Sequence, residues 1–149
     1  MEFLAELHPK IVHFPIAFLT VYPVIELIAL ISKKDFFSKA AMLILLIGVV
    51  SAVAAVLTGN QAFTSNQNLS KESLAIFNQH ELYANIITWL FTALLIFRYY
   101  LQIKNKLTLK FHLLIVLIGI AGMYFVYQAG NYGGKLAKSK VYNSVDQSN

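Results

Sequence analysis

The chain has 149 residues, of which 58% are hydrophobic and 13% charged, and a mean hydropathy of +0.63, too apolar for an ordinary water-soluble domain. Its net charge of +5 rests on cations that flank long apolar runs, which points to a membrane surface and away from nucleic acid. It contains no cysteine, which excludes disulfides, iron–sulfur clusters, thiolate zinc sites and covalent c-type haem attachment.

Four runs are long enough to cross a bilayer, which takes about 20 helical residues. The N-terminus carries Glu2 and Glu6 and lacks the basic segment of a cleavable signal peptide, so the first span is expected to be retained. That span covers residues 11–32 and ends at Lys33-Lys34-Asp35; Pro23 should bend it by freeing a carbonyl one turn earlier. The second covers 39–58 and is expected to stop at Thr58-Gly59-Asn60. A polar stretch follows, with a short amphipathic piece at 70–77. The third span covers 80–101, with Tyr99-Tyr100 as interfacial aromatics, and the fourth 110–129. A polar tail, 130–149, completes a single domain. The expected fold is all-α: an integral membrane, antiparallel four-helix transmembrane bundle.

Lys33, Lys34, Lys39, Arg98, Lys104, Lys106 and Lys110 fall at the end with the two short connections, against Lys10, Lys71, Lys135, Lys138 and Lys140 at the other. By the positive-inside rule both termini are expected outside, at the periplasmic face of a bacterial inner membrane.

An even number of spans brings polar groups to the terminal end: His8 and His13, Asn60 and Gln61, His80 and Glu81, Gln128, Asn131 and Tyr132. His13 and His80 start two different helices at similar depth, as the axial ligands of a b-type haem must. Ala17 and Ala84 lie one turn below them, where a porphyrin needs room; Asn60, Gln128 and Tyr132 could hydrogen-bond its propionates. Histidines at helix mouths also serve merely to bond carbonyls or headgroups. A zinc or copper site of His8, His13 and His80 with Glu81 is a further reading, and no cofactor at all another. His8 and His13 are five residues apart, so that site would need Pro9 to open the helix with His8 outside it. Gly48, Ala52, Ala55 and Gly59 form a small-residue stripe on the second span, with Gly119, Gly122 and Gly130 on the fourth. Such stripes more often mark close helix packing than a cofactor wall.

Glu26 lies some ~20 Å below His13 at the helical rise. A carboxylate there is costly unless paired or protonated. His112 and Arg98 are reachable partners. The pair reads either as a proton relay or, more simply, as an ion pair orienting the first span. Asn85, Thr88 and Thr92 are expected to hydrogen-bond between helices.

The segment His8-Pro9-x-x-Val12-His13-Phe14-Pro15-Ile16-Ala17 resembles the opening signature of a bacterial membrane family, domain of unknown function 2231. The likeness extends to Thr58-Gly59, His80-Glu81 and Tyr132-Gly133-Gly134-Lys135-Leu136, and so covers nearly the whole chain. The resemblance implies a four-span bacterial protein, with relatives sometimes fused to or encoded beside redox modules. Its motif positions are His8, Pro9, His13, Phe14, Pro15, His80, Gly133 and Gly134. The tail departs from the pattern, with Ser139-Lys140-Val141-Tyr142 where a further glycine-containing segment is expected.

Together these readings lead to a small haem b electron-transfer subunit at the membrane. Its partners would be the lipid bilayer, a quinone, a periplasmic cytochrome or respiratory-complex subunits, with a homo-oligomer as a further form. The rival is a structural, non-catalytic subunit of a larger complex. No nucleophile–base pair, phosphate loop or paired catalytic carboxylates are present that would make the chain a hydrolase or kinase.

Overall fold

The computed structural model describes the backbone of residues 2–64 and 70–146 and the side chains of residues 6–63 and 70–139. Within them the chain forms helices α1 (Glu2–Ile11), α2 (His13–Ser32), α3 (Asp35–Thr64), α4 (Lys71–Ile103) and α5 (Leu109–Asp146). Four helical stretches are long and apolar enough to cross a membrane, the first running from Glu6 to Ser32 through the α1–α2 break at Val12. Helix is the only form in which a single segment satisfies its own backbone groups in hydrocarbon. α2 packs on α3, α3 on α4, α4 on α5 and α5 on α2, while α1 lies against α3. The result is the expected antiparallel four-helix bundle.

The short connections are set locally. Lys33 takes a left-handed conformation (φ 54°) and its N–H bonds the Ala29 carbonyl, closing α2; Asn105 (φ 51°) turns the chain between α4 and α5. At α4, the Ser70 hydroxyl accepts from the Ser73 N–H at 3.1 Å, a helix N-cap.

At the terminal end the helices outrun the predicted spans. Thr58-Gly59-Asn60 lies inside α3, residues 70–77 are the N-cap and first turns of α4 itself, and residues 130–146, read as part of a polar tail, continue α5. At 1.5 Å per residue α3, α4 and α5 reach about 45, 50 and 57 Å, well beyond a hydrocarbon core of about 30 Å. The projecting turns are held by packing: Phe63 stacks on Phe77 at 4.0 Å, Tyr83 on Tyr132 at 5.6 Å, and the Ser73 hydroxyl bonds that of Ser139 at 3.3 Å. Those contacts offset the cost of glycine within a helix, about 1 kcal/mol relative to alanine.

Leu19, Tyr22, Leu45, Phe91, Leu94, Ile115 and Val126 make the core, and apolar residues such as Trp89, Leu57, Ile96 and Leu117 face outward. The small-residue stripes serve packing. A side chain at Gly48 would run into Leu19, and one at Gly122 into the ring of Phe91. Gly119 sits against Pro23, where a Cβ would come within 3.0 Å of the proline Cβ, so α5 meets α2 at its proline. Thr88 bonds the Ala84 carbonyl of its own helix at 2.9 Å, not a neighbouring helix, and Asn85 is exposed.

Gly48→Leu and Gly122→Leu should each destabilise the bundle by about 1–3 kcal/mol or more through overpacking. Gly130→Ala, where no atom lies within 4 Å of the new Cβ, should be neutral or slightly stabilising. Thermal unfolding in detergent checks the contrast, and equal effects at the three positions would contradict it.

Candidate functional site

Two polar centres stand out, one near each end of the bundle. At the terminal end the rings of His8 on α1 and His80 on α4 meet, with centroids 6.3 Å apart and planes at 81°. Each ring is oriented through its Nδ1. His80 Nδ1–H donates to the Ala129 carbonyl of α5 at 2.9 Å. His8 Nδ1 lies 3.1 Å from Thr58 Oγ1. The Thr58 hydroxyl also lies 2.9 and 3.1 Å from the carbonyls of Ala54 and Ala55 on its own helix, and when its proton is there its oxygen accepts from His8. His80 therefore carries a proton on Nδ1, and His8 does so when the Thr58 hydroxyl bonds its own helix. An Nδ1–H anchored on a carbonyl or hydroxyl is the arrangement that orients metal-binding imidazoles.

Glycines make the approach possible. A Cβ on Gly59 would come within 2.9 Å of His8 Cε1, and one on Gly133 within 3.2 Å of His80 Cε1. Thr58 with Gly59 docks one imidazole, and Ala129 with Gly133 docks the other. Segments scattered over the length of the chain thus converge on two rings.

His13 is placed differently. It is the first residue of α2, is exposed, and makes no hydrogen bond among the described residues. Pro9 does not open the helix but lies within α1, so His8 is helical too. Five residues on a helix turn a side chain by about 140°, so His8 and His13 face different ways. The partner that reaches His80 is His8, and the expected His13–His80 juxtaposition gives way to it.

The other residues read as lining a cofactor are dispersed. Ala17 and Asn60 are exposed and Ala84 is half-buried. Gln128 donates to the Tyr124 hydroxyl at 3.1 Å. Tyr132 stacks on Tyr83, with the Lys135 ammonium 5.1 Å from its ring centroid. Among the described residues no group of three or more His, Asp or Glu is arranged to hold a metal ion, so His8, His13, His80 and Glu81 do not assemble there.

The second centre is a buried ion-pair node. Glu26 on α2 and Arg98 on α4 are both fully buried, and Arg98 Nε donates to Glu26 Oε1 at 2.8 Å. Arg98 Nη2 donates to Ser38 Oγ of α3 at 2.7 Å and Nη1 to Gln102 Oε1 at 2.9 Å. His112 of α5 brings Nε2 within 2.7 Å of Glu26 Oε1, at an angle outside hydrogen-bond geometry. One node thus takes a side chain from each of the four crossing helices. Glu26 has both of its anticipated partners. Arg98, counted from the sequence among the basic residues at the end with the short connections, is fully buried.

Magnitudes decide what the pair does. Opposite charges 4 Å apart attract by about 4 kcal/mol at an effective dielectric near 20, while desolvation costs several kcal/mol per ion. The net gain is small, but removing one partner strands the other in the bundle. Arg98→Met should therefore cost about 3–5 kcal/mol, and Glu26→Leu combined with Arg98→Met far less than the sum of the single changes. Unfolding of the three variants in detergent reads this directly; additive losses would show that the two charges are not coupled.

Neither a curated protein nor a solved structure matches the chain. A family model described as "Predicted membrane protein (DUF2231)" matches residues 5–145, a stretch that holds both polar centres and all four crossings. The chain belongs to the DUF2231 family of predicted membrane proteins.

Proposed function

We propose that the protein is a small haem-bearing electron-transfer subunit in which His8 and His80 would hold the iron. The observation that carries this reading is the meeting of two imidazoles from different helices, His80 with its Nδ1–H on the Ala129 carbonyl and His8 with Nδ1 3.1 Å from the Thr58 hydroxyl. Structural zinc requires four ligands and catalytic zinc three from the protein. An iron porphyrin brings its own equatorial ligands and requires only two axial ones.

Haem would supply a one-electron couple at this end of the bundle. The chain's own part is to hold the two rings, and Thr58, Ala129, Gly59 and Gly133 do so. Anchoring Nδ1–H on an acceptor raises the basicity of Nε2 and favours the oxidised metal. No substrate pocket is needed, since electrons would pass to a quinone or a periplasmic carrier. The basic connections favour a bacterial inner-membrane location with both termini outside. A structural subunit of a redox complex is the alternative, and the four-helix node would serve that role equally.

The purified protein, expressed with haem supplied, should show a sharp reduced α band and a shifted Soret band on adding dithionite. His8→Ala and His80→Ala should each abolish that low-spin spectrum while the protein still inserts. His13→Ala should keep it. A featureless spectrum from folded, haem-supplied protein would favour the structural role. Stoichiometric zinc or copper in that same sample would favour the metal site.

A further inference from the structure

The ion-pair node leaves three buried polar atoms without a hydrogen-bond partner: Glu26 Oε2, His112 Nε2 and the Tyr22 hydroxyl. All three belong to one place. Tyr22 lies one helical turn before Glu26 on α2, on the same face, and His112 Nε2 lies 2.7 Å from Glu26 Oε1. An unsatisfied buried polar atom is costly, and three gathered at one place are unusual in a helical core. The three hydrogen bonds of the Arg98 guanidinium go to Oε1, Ser38 and Gln102, and none goes to Oε2.

We propose that Glu26 and His112 form a reversible proton-binding site inside the membrane, filled through His112 from the end of the bundle that carries the two short connections. The inference rests on the node alone and is independent of what His8 and His80 hold.

The charges balance as follows. With Glu26 ionised, Arg98 charged and His112 neutral, the node has no net charge. Uptake of one proton makes it +1. The proton reaches the imidazole at Nδ1, and His112 passes its Nε2 proton to Oε1, the oxygen 2.7 Å away, leaving neutral His112 and a carboxylic acid. Oε2 is then the carbonyl oxygen of that acid and can still accept, so the Tyr22 O–H can donate to it in either protonation state.

The surroundings restrict the route. Tyr22 is on α2, Arg98 on α4 and His112 on α5, and α3 contributes the uncharged Ser38, bonded to Arg98. Of the two groups that exchange the proton, only His112 has residual exposure, 10% against 0% for Glu26. It lies in the first turns of α5, directly after the 104–108 connection. Solvent protons thus meet His112 before Glu26. The rest of the bundle toward the histidine end is apolar at this level, with Leu19, Leu45 and Phe91 fully buried, so the site loads and empties from one side.

Infrared difference spectroscopy on the full chain in lipid, without haem, tests this between about pH 4 and 9, the range of ordinary carboxyl and imidazole titration. Lowering the pH should bring up the carbonyl stretch of a desolvated carboxylic acid. That band should vanish in Glu26→Gln and shift in Glu26→Asp, which keeps a carboxyl group. After a pH jump, its appearance should slow at least tenfold in His112→Phe. The wild-type spectrum is decisive even if a variant fails to fold. A wild type with no such band, together with a His112 nitrogen-15 spectrum unchanged over the same range, would make the node a permanent ion pair and overturn the proposal.

Discussion

Everything in this bundle is organised around the burial of Glu26 against Arg98. Helices in a bilayer lack the water-driven segregation that sorts faces in soluble proteins, because lipid tails are as apolar as leucine. Polar groups therefore specify which sides face each other. Arg98 has a rigid fork of donors and uses it to reach α2, α3 and its own helix at once. His112 adds α5. Rotating α2 or α4 about its axis would strand a charge in hydrocarbon, and rotating α3 or α5 would strip Arg98 or Glu26 of a polar contact, so the node restricts all four rotations together.

Close packing does the rest. Gly48 and Gly122 let Leu19 and Phe91 sink into the facing helix, and Gly119 brings α5 onto Pro23. With the rotations and distances set at one end, the four helices continue upward in register. Gly59 and Gly133 then arrive beside His8 and His80, so the two polar centres are the two ends of one rigid arrangement. The histidine pair would be placed much less accurately by α1 alone, which is short and joined to α2 at Val12.

The projecting ends of α3, α4 and α5 give the histidine pair its surroundings. Stacking of Phe63 on Phe77 and of Tyr83 on Tyr132 extends a protein-like core beyond the hydrocarbon slab. The imidazoles therefore lie among helices and not at an open lip of the membrane. Composition hid this, since serine, asparagine and glycine in 130–146 read as a tail when no partner helix is in view.

The sequence by itself determined the number of crossings, the antiparallel order and which residues share an end, because hydrophobic length and a rise of 1.5 Å per residue set position along each axis. It also marked Glu26, Arg98 and His112 as mutual candidates, since an intramembrane charge demands a partner. Only the tertiary structure decided facing. That His8 and not His13 meets His80, that Arg98 turns inward, and that Gly59 and Gly133 accommodate imidazoles are all matters of rotation about an axis. In a membrane helix apolar on every side, rotation leaves little trace in the pattern, and it is resolved only when neighbouring helices present the carbonyl, hydroxyl or carboxylate that a polar side chain requires.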